Sequence, residues 1–589
     1  MERNSGKENQ VNRTGLYWPG KQTEVERIIL PFQIVETVNE SKADRDKLTL
    51  FRQRGEPAPG WRNKLIWGDN KYIMASLLPE FAGKINLIYI DPPFATGADF
   101  SIPIKFEDIE WTKEASVIEE KAYRDTWGRG LDSYLQMMYD RLVLMRELLT
   151  DNGSIYVHID AHVGHYIKAV MDEIFGKDCF QREIIWRIGW ISGYKAAAKN
   201  WIRNHDTILY YVKNPDNFIF NKEYVPYPPG YTRRGGEQTI GKGYAIEDVW
   251  NANPFEYELK GDDSLDSIQI KSFSTEKTGF PTQKNESVIR RIIKASSNEG
   301  DLIADFFCGS GTTGAVAEKL GRRWIMADLS KFAIHTTRKR LLDIPGCKPF
   351  EVLNLGKYQK AKLKENGIAR YIDFVLKLYR AEPLSGYSTL HGKKAGRMVH
   401  IGDVDSIVTE REIRETMNEC ASAGAKAVDF LGWDFEMGLH DLVERIGDEY
   451  SVKIHLVQIP KEALEVRDAA KEEVKFFDLN YLELDHRLKN KALSITLKDF
   501  VISNPEYLPE EVREKVKKFT DYIDYWAVDF NYKEDTFHNM WQSFRTRKHP
   551  ALETKCSHTY EEPGKYQVLV KVVDIFGNDT NKLIEVEVS

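Results

Sequence analysis

Asp301-Leu302-Ile303-Ala304-Asp305-Phe306-Phe307-Cys308-Gly309-Ser310-Gly311-Thr312-Thr313-Gly314 is the stretch on which the fold turns. Its first seven residues read as a buried strand, Cys308–Gly311 as a tight turn, and Thr312–Leu320 as a helix stopped by Gly321. Arg322–Ala327 follows as the next strand, with Asp328 at its carboxyl end. This is a nucleotide-binding β-α-β unit. Glycines let the backbone approach a ligand, the helix N-terminus favours an anionic group, and the acidic residue suits ribose hydroxyls. Gly309-Ser310-Gly311-Thr312-Thr313-Gly314 also fits the glycine pattern of NAD-binding enzymes, so at this point a dinucleotide ligand stays open.

A second apolar run, Ile85-Asn86-Leu87-Ile88-Tyr89-Ile90, reads as another buried strand of a parallel sheet and ends in Asp91-Pro92-Pro93-Phe94. Ligands of such sheets bind just beyond the strand carboxyl ends. There Asp91 can accept a hydrogen bond from an amino group. The Pro93 nitrogen donates nothing and the prolines stiffen the turn, so the Pro92 carbonyl can point at the same group. Phe94 adds an apolar face for a planar ring. Acceptor, carbonyl and aromatic face together suit the exocyclic amine of a nucleobase.

Taken with Phe280-Pro281-Thr282-Gln283-Lys284 and Arg290-Arg291-Ile292-Ile293 ahead of the glycine loop, the two motifs resemble the amino-methylating DNA methyltransferases. The tetrad precedes the glycine loop, as in the permuted β-group that includes modification subunits of type III restriction systems. Leu65-Ile66-Trp67-Gly68-Asp69-Asn70, Thr96-Gly97 and the segment Tyr134–Asp160 extend the likeness over roughly residues 60 to 350. The sequence departs from the family wording at Phe94 (commonly tyrosine), Phe306 (commonly proline) and Asn285 (commonly proline). None of these removes a required donor or acceptor.

The resemblance implies a Rossmann-like α/β domain that uses S-adenosylmethionine, with Asp91, Pro92, Pro93 and Phe94 as catalytic residues. In the cofactor set, Gly309 and Gly311 admit the methionyl part, with Thr312 and Thr313 at the helix N-terminus. Asp328 is placed on the ribose, Asp69 faces the adenine, and Phe307 lines that pocket together with Asp305. Thr282, Gln283 and Lys284 are placed near the methionine carboxylate. The expected target is the N6 amine of adenine ahead of the N4 amine of cytosine, because an aspartate-led tetrad is commoner among adenine enzymes.

The chain has 589 residues, 42% hydrophobic and 29% charged, which fits several domains with ample cores. No apolar run reaches membrane-spanning length, and Met1-Glu2-Arg3-Asn4 does not open a signal peptide. The five cysteines are far apart. A reduced, cytoplasmic, nucleoid-associated protein without membrane contact is expected. His158, His162 and His165 have usable spacing, but no cysteine or carboxylate set completes a coordination shell, and no metal site is expected.

Net charge is −7, so any nucleic-acid surface must be local. Between Gln181 and Gly243 ten basic residues stand against five acidic ones, interleaved with aromatics such as Trp186, Trp190, Trp201 and Tyr224. Basic residues neutralise phosphates and aromatics stack on bases. This insertion, about 185–275, is read as the target-recognition segment, with Arg187, Lys195, Lys199, Arg203, Arg233 and Arg234 on DNA. Double-stranded DNA is the expected partner; a helicase-nuclease restriction subunit and a second copy of the chain are further candidates.

The expected organisation is an N-terminal arm (1–45), the methyltransferase domain (46–350), a helical linker (351–395), a second small α/β region (396–515) and an immunoglobulin- or PKD-like β-sandwich (516–589). The sandwich is read from alternation at Tyr566, Val568, Val570 and Val572 and again at Ile584, Val586 and Val588. In the second α/β region Asp429, Asp434 and Glu436 lack the pattern of a nuclease centre. Two other classes compete. An NAD oxidoreductase leaves the tetrad and the basic insertion without purpose. A catalytically inactive DNA-binding subunit would have lost key residues, yet Asp91, Gly309, Gly311 and Asp328 are intact.

Overall fold

The computed structural model describes residues 15–40, 60–93, 101–106, 109–114, 130–187, 199, 201–227, 242–251, 276, 278, 280, 282–355, 367–404, 408–433, 435, 439–459, 463, 476–478, 481–502, 518–533, 537–545, 551–575 and 579–589. They fall into two compact units, one drawn from 1–30, 62–102 and 120–348, the other from 31–61, 103–119 and 349–589. Among the described residues no helix is long and apolar enough to cross a membrane.

The first unit is an α/β sheet domain. Its main elements are β1 (Asn63–Trp67), α1 (Asn70–Phe81), β2 (Ile85–Ile90), α2 (Leu131–Leu148), β3 (Leu149–Ile159), α3 (Gly164–Phe175), β4 (Phe180–Arg187), β5 (His205–Val212) and β6 (Val249–Trp250). They are followed by α4 (Glu286–Ser296), β7 (Leu302–Asp305), α5 (Thr312–Lys319), β8 (Arg323–Asp328) and α6 (Lys331–Leu342). Its strands run in the order β6-β4-β5-β3-β2-β7-β8-β1. From β3 to β1 neighbours are parallel, whereas β5 runs antiparallel to both β3 and β4. β2 forms because its run is apolar on both faces, and every residue but Asn86 is buried. The Asn86 side-chain oxygen accepts the Leu302 N–H at 2.9 Å and so fixes where β7 begins.

Strand order sets the site. The chain leaves β2 for β3 on one flank and leaves β7 for β8 on the other, so the crevice between β2 and β7 is a topological switch point. Pairing of Ala304 with Ile88, and of Asp328 with Trp67, brings Asp91, Asp305, Asp328 and Asp69 to one sheet edge.

The second unit holds Gln33–Val38 paired antiparallel with Phe350–Asn354 and parallel with Phe537–Asn539. A six-stranded sheet follows, in which Arg397–Ile401, Ala427–Gly432 and Lys453–Gln458 are parallel neighbours. A three-stranded and a four-stranded sheet then share one core that includes Leu493, Ile495, Trp526, Val568, Val570 and Val586.

Several expected boundaries move. Tyr481–Lys489 pairs with Ala492–Val501, which pairs in turn with Lys555–Thr559, so the sandwich begins before residue 516. The stretch expected as a helical linker contains the helix Ile368–Tyr379, whose Val375 and Leu376 pack with Val399 and Leu431. It also supplies the strand Gly392–Lys394. The N-terminal arm contributes a strand, Gln33–Val38. β4 and β5, assigned in part to the recognition insertion, belong to the central sheet.

Candidate active site

β2 delivers Asp91 to the switch point. Lys284, from the segment that leads into α4, donates to Asp91 Oδ2, and the two side chains are only 16% and 11% exposed. Asp91 Oδ1 is buried and has no hydrogen-bond partner among the described residues. A buried acceptor left open is costly unless a donor arrives, so the arrangement suits a ligand N–H. Pro92 is buried beside it and Pro93 is half-buried, while Phe94 lies outside the described residues.

Across the crevice the glycine loop is held from several sides. Gly309 and Gly311 have φ of 49° and 72°, in the left-handed region that glycine tolerates. A Cβ on Gly311 would stand 2.5 Å from Thr337 Cγ2, so helix α6 leaves room for no side chain there. Asp328 Oδ2 accepts the Gly309 N–H at 2.8 Å and Oδ1 accepts the Ser330 N–H at 2.9 Å. Thr337 donates to the Gly309 carbonyl at 3.0 Å. Phe280 lies over Gly309 and stacks on Phe332, with ring centroids 5.9 Å apart.

Asp305 sits beneath this loop. It accepts from the Phe307 N–H at 2.9 Å and from the Thr313 hydroxyl at 2.6 Å. Burial pushes its carboxyl up to about 7; the two hydrogen bonds oppose the shift, and the charges of Asp91 and Asp328 add to it. Three carboxyl groups therefore gather at one edge, of which Asp91 is balanced by Lys284 and Asp305 tends to hold a proton, which leaves Asp328 as the charge beside the loop. Because the folded value lies above the ordinary one of about 3.9, the folded state holds the extra proton between them. Stability then falls as pH rises from about 4 through about 7 and levels off above that. Asp305→Asn, which cannot ionise, should therefore gain in Tm relative to the parent as pH rises through that window. A constant difference across it would remove Asp305 as the source.

Not every residue expected on the ligand faces it. Thr313 is spent on Asp305. Thr312 donates to the Lys284 carbonyl at 3.1 Å and accepts from Arg340 at 2.8 Å. Gln283 donates to the Glu276 carbonyl and accepts from the Thr278 N–H and hydroxyl, all within its own loop. Thr282 is exposed, and Lys284 places its ammonium on Asp91 instead of on a free edge. Phe307 is half-buried at the mouth of the loop.

Asp69 caps α1 by accepting the Lys71 N–H at 2.8 Å and pairs with Arg141 at 2.9 Å. The neighbouring Gly68 N–H donates to the Asp328 carbonyl at 3.0 Å, which sets the Asp69 turn beside β8. Sequence reading missed Asn70, whose amide donates to the Phe306 carbonyl at 2.8 Å and whose oxygen accepts from Arg141. Asn70 stands in the Trp67–Asn70 run and was open to notice; Arg141 and Thr337 carry no local signal.

Beside Asp91 a buried chain continues. His158 Nδ1 and the Tyr89 hydroxyl are 2.8 Å apart, and His158 Nε2 lies 3.4 Å from Asp206 Oδ2. Asp206 is held down to about 2. Burial opposes its charge, but the hydrogen bond to His158 and the charges of His158, Lys284 and Arg203 outweigh that. Arg203, expected on DNA, donates to Asp206 and lies 3.7 Å from Asp160. His162 bonds Asp160, so of the three spaced histidines two serve carboxylates of the fold. Arg187 donates to the Asn251 carbonyl at 3.4 Å, and Lys199 is exposed. Lys195, Arg233 and Arg234 lie outside the described residues.

The sequence pattern of the N6/N4 DNA methylase family matches residues 85–339. The type II methyltransferase M.EcaI of Enterobacter cloacae is 34% identical over 337 residues, which span 47% of this chain and 69% of that one. The probable type III restriction-modification enzyme HindVI Mod subunit of Haemophilus influenzae is 25% identical over 388 residues, 46% of this chain and 48% of its own length. The DNA adenine methyltransferase YhdJ of Escherichia coli is 26% identical over 279 residues, 47% and 82% of the two chains.

Proposed function

Because this chain belongs to the N6/N4 DNA methylase family, we propose that it is a site-specific methyltransferase acting on the N6 amine of adenine in double-stranded DNA. One observation carries the proposal furthest: the open, buried Oδ1 of Asp91 at the switch point, opposite a carboxylate-ringed glycine loop.

S-adenosylmethionine, the cofactor of this family, supplies a methyl group activated on a sulfonium. The Asp328 carboxylate beside the glycine loop suits such a cation. Residues suited to hold it are Asp328 toward the ribose, Asp69 and Phe307 toward the adenine, and the backbone of Phe307–Gly311. Thr312, Thr313 and Gln283 act one step back, by fixing the loop and the turn before α4. Lys284 acts as the counter-ion of Asp91.

An exocyclic amine in a base pair is buried and its lone pair is delocalised into the ring, so the target base must leave the stack. Phe94 supplies the face on which it rests. Asp91 Oδ1 and the Pro92 carbonyl accept the two amino hydrogens. As the nitrogen lone pair forms its bond to the methyl carbon, positive charge grows on nitrogen. The two acceptors stabilise that charge more than they stabilise the neutral amine, and it is this difference that lowers the barrier. The nitrogen then sheds a proton, for which Asp91 is the nearest base. Because Lys284 already holds Oδ2, Asp91 can offer Oδ1 without rearrangement.

Adenine is preferred over cytosine on three grounds. The tetrad begins with aspartate, the purine gives Phe94 more area to stack on, and an A·T pair opens more easily. A relative bearing the name DNA adenine methyltransferase supports the same choice. Digestion of treated plasmid DNA to nucleosides, with mass spectrometry, is expected to yield N6-methyladenine. N4-methylcytosine alone would overturn the adenine assignment and leave the reaction class standing.

A relative named as a Mod subunit supports a restriction-modification role with a helicase-nuclease partner. Pairing of two copies on DNA and a cytoplasmic, nucleoid-associated location belong to the same reading.

A further inference from the structure

Trp201 is 99% exposed, whereas every other tryptophan with a described side chain is buried or half-buried. A bare indole offers a large planar apolar face to a partner. Its position says which partner. Two residues on, Arg203 donates to the His205 carbonyl at 3.2 Å and to Asp206, and lies 3.7 Å from Asp160. Asp160 follows the carboxyl end of β3, and Asp206 stands at the start of β5, which pairs antiparallel with β3. The Arg203 side chain thus ties this segment to the ligand edge of the sheet beside β3, the neighbour of the strand that ends at Asp91, while the Trp201 ring itself is bare. Lys199 on one side is exposed, while Arg203 on the other is taken up by Asp206 and Asp160.

We propose that Trp201 is a wedge that enters the DNA duplex at the target step and stacks where the extruded base has left. This rests on the methyltransferase reading of the same edge. Extrusion opens a gap in which the neighbouring bases lose their stacking, and an inserted apolar side chain fills it. A planar ring two residues from an exposed lysine suits that task, since the Lys199 ammonium can meet a phosphate beside the gap.

The test uses the full chain and a duplex carrying the target sequence, mapped by modified-base sequencing of plasmid DNA it has treated. A second duplex places an abasic site opposite the target base, so that the base is already unpaired. Trp201→Ala should slow single-turnover methylation of the paired duplex by about tenfold or more, with a loss within about twofold on the pre-opened one. Trp201→Phe should recover most of the rate. Cofactor affinity and Tm should not move, because the ring touches neither the site nor a core. Equal losses on both duplexes, or none on the paired one, would overturn the wedge. If the parent methylates neither duplex, the reading of the edge itself fails and the proposal with it.

Discussion

Asp91→Ala is expected to lower methyl transfer by about 10³-fold or more and leave S-adenosylmethionine affinity within about twofold. The loss is large because the alanine removes the acceptor that gains strength as the amine nitrogen becomes cationic, and removes the nearest base for its proton. It also removes the carboxylate with which Lys284, 11% exposed, pairs, so a loss of stability is expected beside the loss of activity. Affinity is spared because Asp91 lies across the crevice from the loop that Asp328 and Thr337 hold. Single-turnover transfer of a tritiated methyl, with calorimetry of cofactor binding, separates the two effects. Joint loss of binding and transfer in a folded protein would take Asp91 out of this role.

Asp328→Ala should do the reverse, weakening cofactor binding by about 1.5–3 kcal/mol, roughly 10- to 150-fold. Two causes act together. The carboxylate offered to the ribose is lost, and so is the acceptor that holds the Gly309 N–H at 2.8 Å. With Gly309 and Gly311 both at positive φ, the freed loop gains conformations that must be given up again on binding. At saturating cofactor the transfer rate should return to within a few-fold of the parent. Unchanged affinity in calorimetry would sink the ribose placement. An affinity loss matched by an equal loss of saturated rate would instead place Asp328 nearer the reacting atoms.

What the sequence made legible follows physical range. The run Ile85–Ile90 could be read as a strand because it is apolar on both faces, and it spans those residues in the fold. The glycine turn and its helix could be read because their constraints are local. Lys284 is different: its bond to Asp91 crosses 193 positions of chain, and no local pattern announces it. The same holds for Thr312, Thr313 and Gln283, which are polar residues at the right place whose groups are claimed by Arg340, Asp305 and Glu276. Arg203 counts toward a basic stretch in the sequence, yet in the fold its charge balances Asp206 and Asp160. The sandwich was visible at its long hairpin, Gly564–Asp574 with Asp579–Val588. The hairpin Tyr481–Lys489 with Ala492–Val501 is local and was missed, whereas its attachment to Lys555–Thr559 is non-local and carries no signal in the sequence.

This chain is expected to move a methyl group from S-adenosylmethionine to an exocyclic amine of DNA at the Asp91 edge. The most direct measurement incubates the purified chain and its Asp91→Ala variant with tritiated-methyl cofactor and unmodified plasmid DNA, then counts label in the chromatographed nucleosides. The prediction is label from the parent alone, eluting as an N-methylated base. Label in DNA from both proteins at similar rates, or from neither while both bind cofactor, would contradict it.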